Sequence, residues 1–154
     1  MTVRTGWSAM DAVALLARFA LAAVWIASGV LKMQNPGATL LSVRAYELFP
    51  DAAERFIALA LPPLEMALGV LLVLGIFLRA TSLLSALIFL AFIAGIASAW
   101  ARGLTIDCGC FGGGGYNSSV SPWAYVKEIL RDTAFIALAA IVAWKPLNKL
   151  AVWP

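Results

Sequence analysis

The chain has 154 residues, 63% of them hydrophobic and 12% charged, with a net charge of +3, two cysteines and no histidine; its mean hydropathy is +0.93. This composition excludes a disordered chain, a nucleic-acid binder built on basic patches and a disulfide-dense secreted scaffold, and it points to a small integral membrane protein. Without histidine, chemistry must rest on thiols, carboxylates, guanidinium groups or a borrowed cofactor.

In chain order, residues 12–31 form an apolar stretch interrupted by Arg18, and twenty helical residues reach about 30 Å, enough to cross a bilayer core. A cleaved signal peptide fits less well: the stretch is too long, carries Arg18 inside it and is followed by Lys32 rather than a small-residue cleavage site. Residues 32–55 open with turn-prone Gln34-Asn35-Pro36-Gly37 and then show Leu40, Leu41, Val43 and Leu48 at helical spacing, which predicts a short interfacial helix. Residues 56–78 carry one charge, Glu65, and residues 80–101 carry none, so the pair reads as a tight transmembrane hairpin turning at Arg79. Pro62-Pro63 either kinks a helix that begins near Asp51 or opens a new one.

The last apolar run, Thr133 to Trp144, is too short to span by itself at about 18 Å. A helix over residues 122–144, with Ser121-Pro122 as cap and first turn, is long enough, and its Lys127, Glu128, Arg131 and Asp132 fall within a sector of about 140°. The expected fold is all-α: one transmembrane domain over 1–154, a four-helix bundle with a short interfacial helix between spans one and two. The connection 102–121 holds both cysteines and the glycines Gly112 to Gly115.

Four spans place both termini and Arg79 on one side. Arg4, Arg79, Lys145 and Lys149 lie there; Lys32, Arg44, Arg55, Arg102 and Lys127 lie opposite, interleaved with acids. The acids, and the sense of exposing a thiol pair to an oxidising compartment, favour cytoplasmic termini and an extracytoplasmic cysteine loop.

Cys108-Gly109-Cys110 suits a disulfide, a dithiol or a soft-metal site. Closing so small a ring stabilises a fold by only about 1.6 kcal/mol in chain entropy, and the strain eases reduction, so a bridge here serves electron exchange better than bracing. Asp107 would raise the thiol pKa, whereas Arg102 and the N-terminus of the last helix would lower it. Copper(I) on two thiolates is chemically allowed but lacks further soft ligands in the loop.

Arg18, Glu65, Arg131 and Asp132 sum to zero charge within the membrane, and charge there costs about 3 kcal/mol per residue, so pairing is expected: Arg18 or Arg131 with Glu65, and Asp132 completing the network. Ion pairs that hold helix register account for them as well as a function does. The functional reading is a quinone or proton pocket formed with Tyr125, Trp123 and Trp100. Trp144 and Trp153 read as interface anchors, Gly29, Gly69 and Gly95 as points of close helix approach, and Asn117-Ser118-Ser119 as an incidental glycosylation pattern.

Arg18-Phe19-Ala20-Leu21 with Gly29 and Lys32, Leu61-Pro62-Pro63-Leu64-Glu65 with Gly69, and Arg102-Gly103 leading to Asp107-Cys108-Gly109-Cys110-Phe111-Gly112 together resemble the MauE/DoxX family. The resemblance covers residues 18–144, and Cys-Gly-Cys-Phe-Gly is its most specific element. It implies a bacterial plasma-membrane protein with a four-helix architecture similar to vitamin K epoxide reductase. The MauE branch is associated with disulfide formation in periplasmic methylamine dehydrogenase, and DoxX relatives with thiosulfate and quinone chemistry. Unlike the epoxide reductases, this chain has no Cys-x-x-Cys and no second cysteine pair, so the electrons call for a thioredoxin-like partner.

The expected function is therefore thiol-disulfide exchange between Cys108/Cys110 and an extracytoplasmic thioredoxin-like or client protein, with quinone as the possible cofactor. The alternatives are a non-catalytic subunit or assembly factor of a larger respiratory or dehydrogenase complex, and a small transporter or metal handler.

Overall fold

The first helix begins where the sequence supplies a reciprocal cap. The computed structural model describes residues 6–111, 114–147 and 151–152. In it Ser8 Oγ accepts the Asp11 amide at 3.2 Å while Asp11 Oδ2 accepts the Ser8 amide at 3.0 Å, so orphan donors are satisfied as α1 (Ala9–Gln34) starts. Asn35 ends α1 and caps α2 (Pro36–Ala45) by accepting the Ala38 amide at 3.1 Å, with Pro36 in the first turn. The short helix after the first span is therefore present. Arg4, Gly112, Gly113, Lys149 and Trp153 lie outside the described residues.

α3 (Asp51–Leu74) continues through Pro62 and Pro63 rather than restarting at them, which puts Glu65 in the interior at 0% exposure. Its last four carbonyls, which a helix leaves open, are all met. The Gly75 and Ile76 amides donate to Leu71 at 2.8 and 3.0 Å, Arg18 Nε and Nη2 donate to Leu72 and Val73 at 2.6 and 2.7 Å, and the Val152 amide donates to Leu74 at 2.8 Å. The turn occupies residues 75–77, with Gly75 at a left-handed φ of 74°. α4 (Leu78–Ala101) starts there, so Arg79 sits in its first turn rather than in the connection. α5 (Pro122–Trp144) starts at the expected Ser121-Pro122, although the Ser121 side chain makes no cap hydrogen bond.

Within the connection, β1 (Ile106–Asp107) pairs antiparallel with β2 (Gly115–Tyr116), Ile106 opposite Tyr116 and Asp107 opposite Gly115. This small ladder corrects the strictly all-α expectation. The protein is mostly helical, and α1, α3 and α4 are long and apolar enough to cross a membrane.

Packing departs from chain order. α1 packs mainly on α3, and α4 mainly on α5, while α3 and α4 touch only lightly. The expected tight hairpin of the second and third spans is thus an adjacency in sequence and not the principal packing pair. Gly69 allows the α1–α3 approach, since a Cβ there would lie 2.5 Å from Ile26 Cγ1 and 3.2 Å from the Ala22 carbonyl. Gly29 does the same against Met66 and the Pro62 carbonyl. Gly95 instead faces the Tyr46 ring at an ordinary 3.4 Å. The core centres on buried Trp25, which stacks on Phe89 at 4.5 Å and donates from Nε1 to Ser85 Oγ at 2.8 Å.

Candidate functional site

The cysteine loop leaves α4 through Arg102, whose guanidinium donates to the Tyr46 and Ser98 carbonyls. It does not reach the thiols, so the cation expected to tune them is a different one. Tyr125 braces the ladder: its hydroxyl accepts the Ile106 amide at 3.1 Å and donates to the Leu104 carbonyl, and its ring stacks on Trp100 at 5.9 Å. Trp123 is exposed. Asn117 Oδ1 accepts from the Ser119 amide and hydroxyl, closing a local turn.

From this ladder Cys108-Gly109-Cys110 turns inward. Cys110 is 7% exposed and Cys108 half-buried, and both are free thiols. The pair, expected to be exposed in its loop, is therefore largely withdrawn from the surface and seated at the mouth of the helices. Three contacts hold it there. The Tyr46 hydroxyl donates to the Cys108 carbonyl at 3.2 Å. Ser28 Oγ donates to the Cys110 carbonyl at 2.6 Å. Gly114, at φ +117°, lies so close to α2 that a Cβ would fall 1.7 Å from Ser42 Oγ, which explains a glycine at this point of the run.

The Cys108 sulfur sits among donors. The Cys110 amide donates to it at 3.4 Å and Arg131 Nη2 at 3.7 Å. A hydrogen bond from the Cys110 thiol, then that amide and the Arg131 guanidinium, outweigh burial and bring the Cys108 thiol down from its ordinary 9.0 to about 6. Cys110 goes the opposite way, well above 9.0, because its thiol donates a hydrogen bond to the Cys108 sulfur and is buried. The first proton to leave the pair is thus that of Cys108. Asp107, Cys108 and Glu128 bring their ligand atoms within 4.8 Å of one another, a mixed set able to take a borderline cation.

Arg131 also donates from Nε and Nη2 to Asp132 Oδ1 at 3.1 and 3.0 Å, and its guanidinium lies 5.0 Å from the centre of the Phe111 ring. Asp132 Oδ2 is buried without a hydrogen-bond partner among the described residues. The expected pairing of Glu65 with Arg18 or Arg131 is corrected. Glu65 Oε1 takes Lys32 Nζ at 2.6 Å, while Arg18 turns to the end of α3. Lys32, counted from sequence among the residues outside the membrane, is buried in α1. A helical signal for it exists, because Arg18, Trp25 and Lys32 recur every seven residues and so share one face at about 100° per residue.

Beside the pair lies a cavity of about 640 Å³ between α2, α3 and α4. Its walls are chiefly apolar, among them Val43, Ile57, Leu61, Ile88 and Phe92, and Lys32, Tyr46, Cys108 and Cys110 also line it. The volume suits one small ligand. Of the residues picked from sequence, the two cysteines line it, and Arg18, Glu65, Tyr125, Arg131 and Asp132 do not. Among the supporting residues, Ser28 and Tyr46 were not singled out, and Lys32 and Glu128 were noted without a place in the site, because the role of each depends on a contact distant in the chain.

Fold and site define a helical membrane protein carrying two thiols one residue apart at the mouth of its helices. The chain belongs to the MauE family: the family model described as methylamine utilisation protein MauE matches residues 10–145. It is 35% identical over 127 residues to the methylamine utilization protein MauE of Paracoccus denitrificans, an alignment covering 82% of this chain and 66% of that relative, so the chain spans just under two thirds of the relative's length. No solved structure matches.

Proposed function

We propose that this protein is a membrane thiol-disulfide redox protein, acting in methylamine utilisation as its relative's name suggests. Cys108 and Cys110 exchange electrons with an extracytoplasmic partner. The observation that carries this reading is the setting of the Cys108 sulfur, half-buried at a cavity with the Cys110 amide and the Arg131 guanidinium both donating to it, a setting that favours the thiolate. A thiolate is the attacking species in disulfide exchange.

In one direction the Cys108 thiolate attacks a partner disulfide, giving a mixed disulfide and a partner thiolate. Cys110 then gives up its proton and attacks Cys108, closing the Cys108–Cys110 bond and releasing the second partner thiolate; two electrons have passed to the partner. The reverse sequence oxidises a partner dithiol. The apolar cavity offers a membrane-soluble quinone access to the reduced pair, from which it would take two electrons and the Cys110 proton as the disulfide forms, the second proton of the quinol coming from solvent.

The reading includes α5 as a fourth span, supported by its packing along α4 and α1 and by its 23-residue length, with cytoplasmic termini. Trapping with the Cys110→Ser variant tests it: a mixed disulfide through Cys108, formed only outside the cytoplasm, is expected. A loop labelled only from the cytoplasmic side, or a Cys108→Ser/Cys110→Ser chain that supports methylamine growth fully, overturns it in favour of a non-catalytic subunit.

A further inference from the structure

We infer that Ser28, Lys32 and Glu65 are positioning residues for the thiol pair, a buried latch that ties Cys110 to the helix interior and so keeps the Cys110 amide on the Cys108 sulfur. This rests on reading Cys108 and Cys110 as the redox pair.

The latch has three members on two helices. Ser28 and Lys32 are one turn apart on α1, and Glu65 comes from α3. Lys32 Nζ donates to Glu65 Oε1 at 2.6 Å and to Ser28 Oγ at 2.8 Å. A lone pair of Ser28 Oγ is taken by the ammonium, and of the two acceptors within reach of its single hydroxyl proton the Cys110 carbonyl at 2.6 Å is nearer than Glu65 Oε2 at 3.2 Å. Donation by an ammonium polarises the hydroxyl and strengthens the bond it gives. All three side chains are buried.

The Lys32–Glu65 pair by itself would serve helix registry; the bond from Ser28 to the Cys110 carbonyl carries the arrangement beyond the two helices to the cysteine loop. Its geometric consequence is at Cys110. The carbonyl is pinned by Ser28, and the amide of the same residue donates to Cys108 Sγ at 3.4 Å. Release the carbonyl and the residue can rotate, which withdraws that donor.

The test is iodoacetamide alkylation of Cys108 in membranes holding the full chain, followed across about pH 5 to 9 by mass spectrometry. Ser28→Ala cuts the link without stranding a charge, and Glu65→Gln is the second variant. Ser82→Ala, which removes a buried hydroxyl with no partner among the described residues, is the control. The groups facing Cys108, namely Cys110, Asp107, Glu128, Arg131 and Tyr46, are unchanged throughout.

The wild-type midpoint is expected near 6, the control the same, and both latch variants higher by about one pH unit, the worth of one hydrogen bond to a charged sulfur. A change in stability alone would alter the amount of folded protein without moving the midpoint. A low wild-type midpoint that Ser28→Ala leaves in place overturns the latch and spares the redox reading. An ordinary wild-type midpoint near 9 overturns the redox reading itself.

Discussion

Lys32 and Glu65 stand 33 positions apart in sequence and meet at 2.6 Å in the interior between α1 and α3. Their charges are removed from water together, so each depends on the other. Glu65→Ala leaves the Lys32 ammonium uncompensated and is expected to cost about 3–5 kcal/mol. The double variant Lys32→Met/Glu65→Met regains most of that in thermal unfolding in detergent, while its Cys108 alkylation midpoint stays raised. Recovery of both properties together would contradict the separation of stability from positioning.

Arg18 has a different task. It closes the end of α3 by donating to Leu72 and Val73 from two nitrogens of one planar fork, and the close approach of Gly75 leaves it that room, since a Cβ there would lie 2.8 Å from Arg18 Nη2. Arg18→Ala is expected to lose about 3 kcal/mol or more, and Arg18→Lys to recover only part, because a single ammonium cannot reproduce the fork. Denaturation in detergent micelles measures both; equal stability of the alanine and arginine forms would remove the capping role.

The pH dependence of the thiols has a definite sign. Cys108 is held low, to about 6, so at pH 7 it is mostly thiolate and alkylates, while Cys110, pushed well above 9.0, stays protonated and slow. Arg131 is one of the groups that lower Cys108, and Arg131→Met is expected to move the Cys108 midpoint upward and slow its alkylation at neutral pH. Peptide-resolved alkylation rates decide the matter, and faster labelling of Cys110 than Cys108 would reverse the assignment of roles.

Gly114 tests the seat of the loop. A methyl there would fall 1.7 Å from Ser42 Oγ and would hold φ +117°, a region closed to other residues. Gly114→Ala is expected to introduce about 1–3 kcal/mol of strain and to lift the loop away from α2. Alkylation of Cys110 should then rise about tenfold, the equivalent of 1.4 kcal/mol of local opening. Unchanged protection of Cys110 would show that α2 does not seat the loop.

Much of the site was visible before folding and much was not. Cys108-Gly109-Cys110 declared itself because two thiols one residue apart stand out in a chain with no other cysteine. The start of α5 at Ser121-Pro122 and the short α2 after Asn35-Pro36 followed from local rules of capping and proline geometry. The partner of Glu65 did not, because Arg18, Arg131 and Lys32 are all cations of suitable reach, and only the way α1 lies on α3 selects one. Nor did the burial of Cys110, since a run of glycines reads equally as a loose turn and as a strip that lets α2 approach.

By itself the sequence determined that the chain enters a membrane, where its helices begin, and which atoms can do chemistry, because apolar length, caps and residue types act within a few positions. Only the tertiary structure decided which charges pair, which thiol is the thiolate and how the pair is held. Those outcomes depend on side chains brought within 4 Å by helix packing, and the strength of their interactions is set by distance and by removal from water rather than by order along the chain.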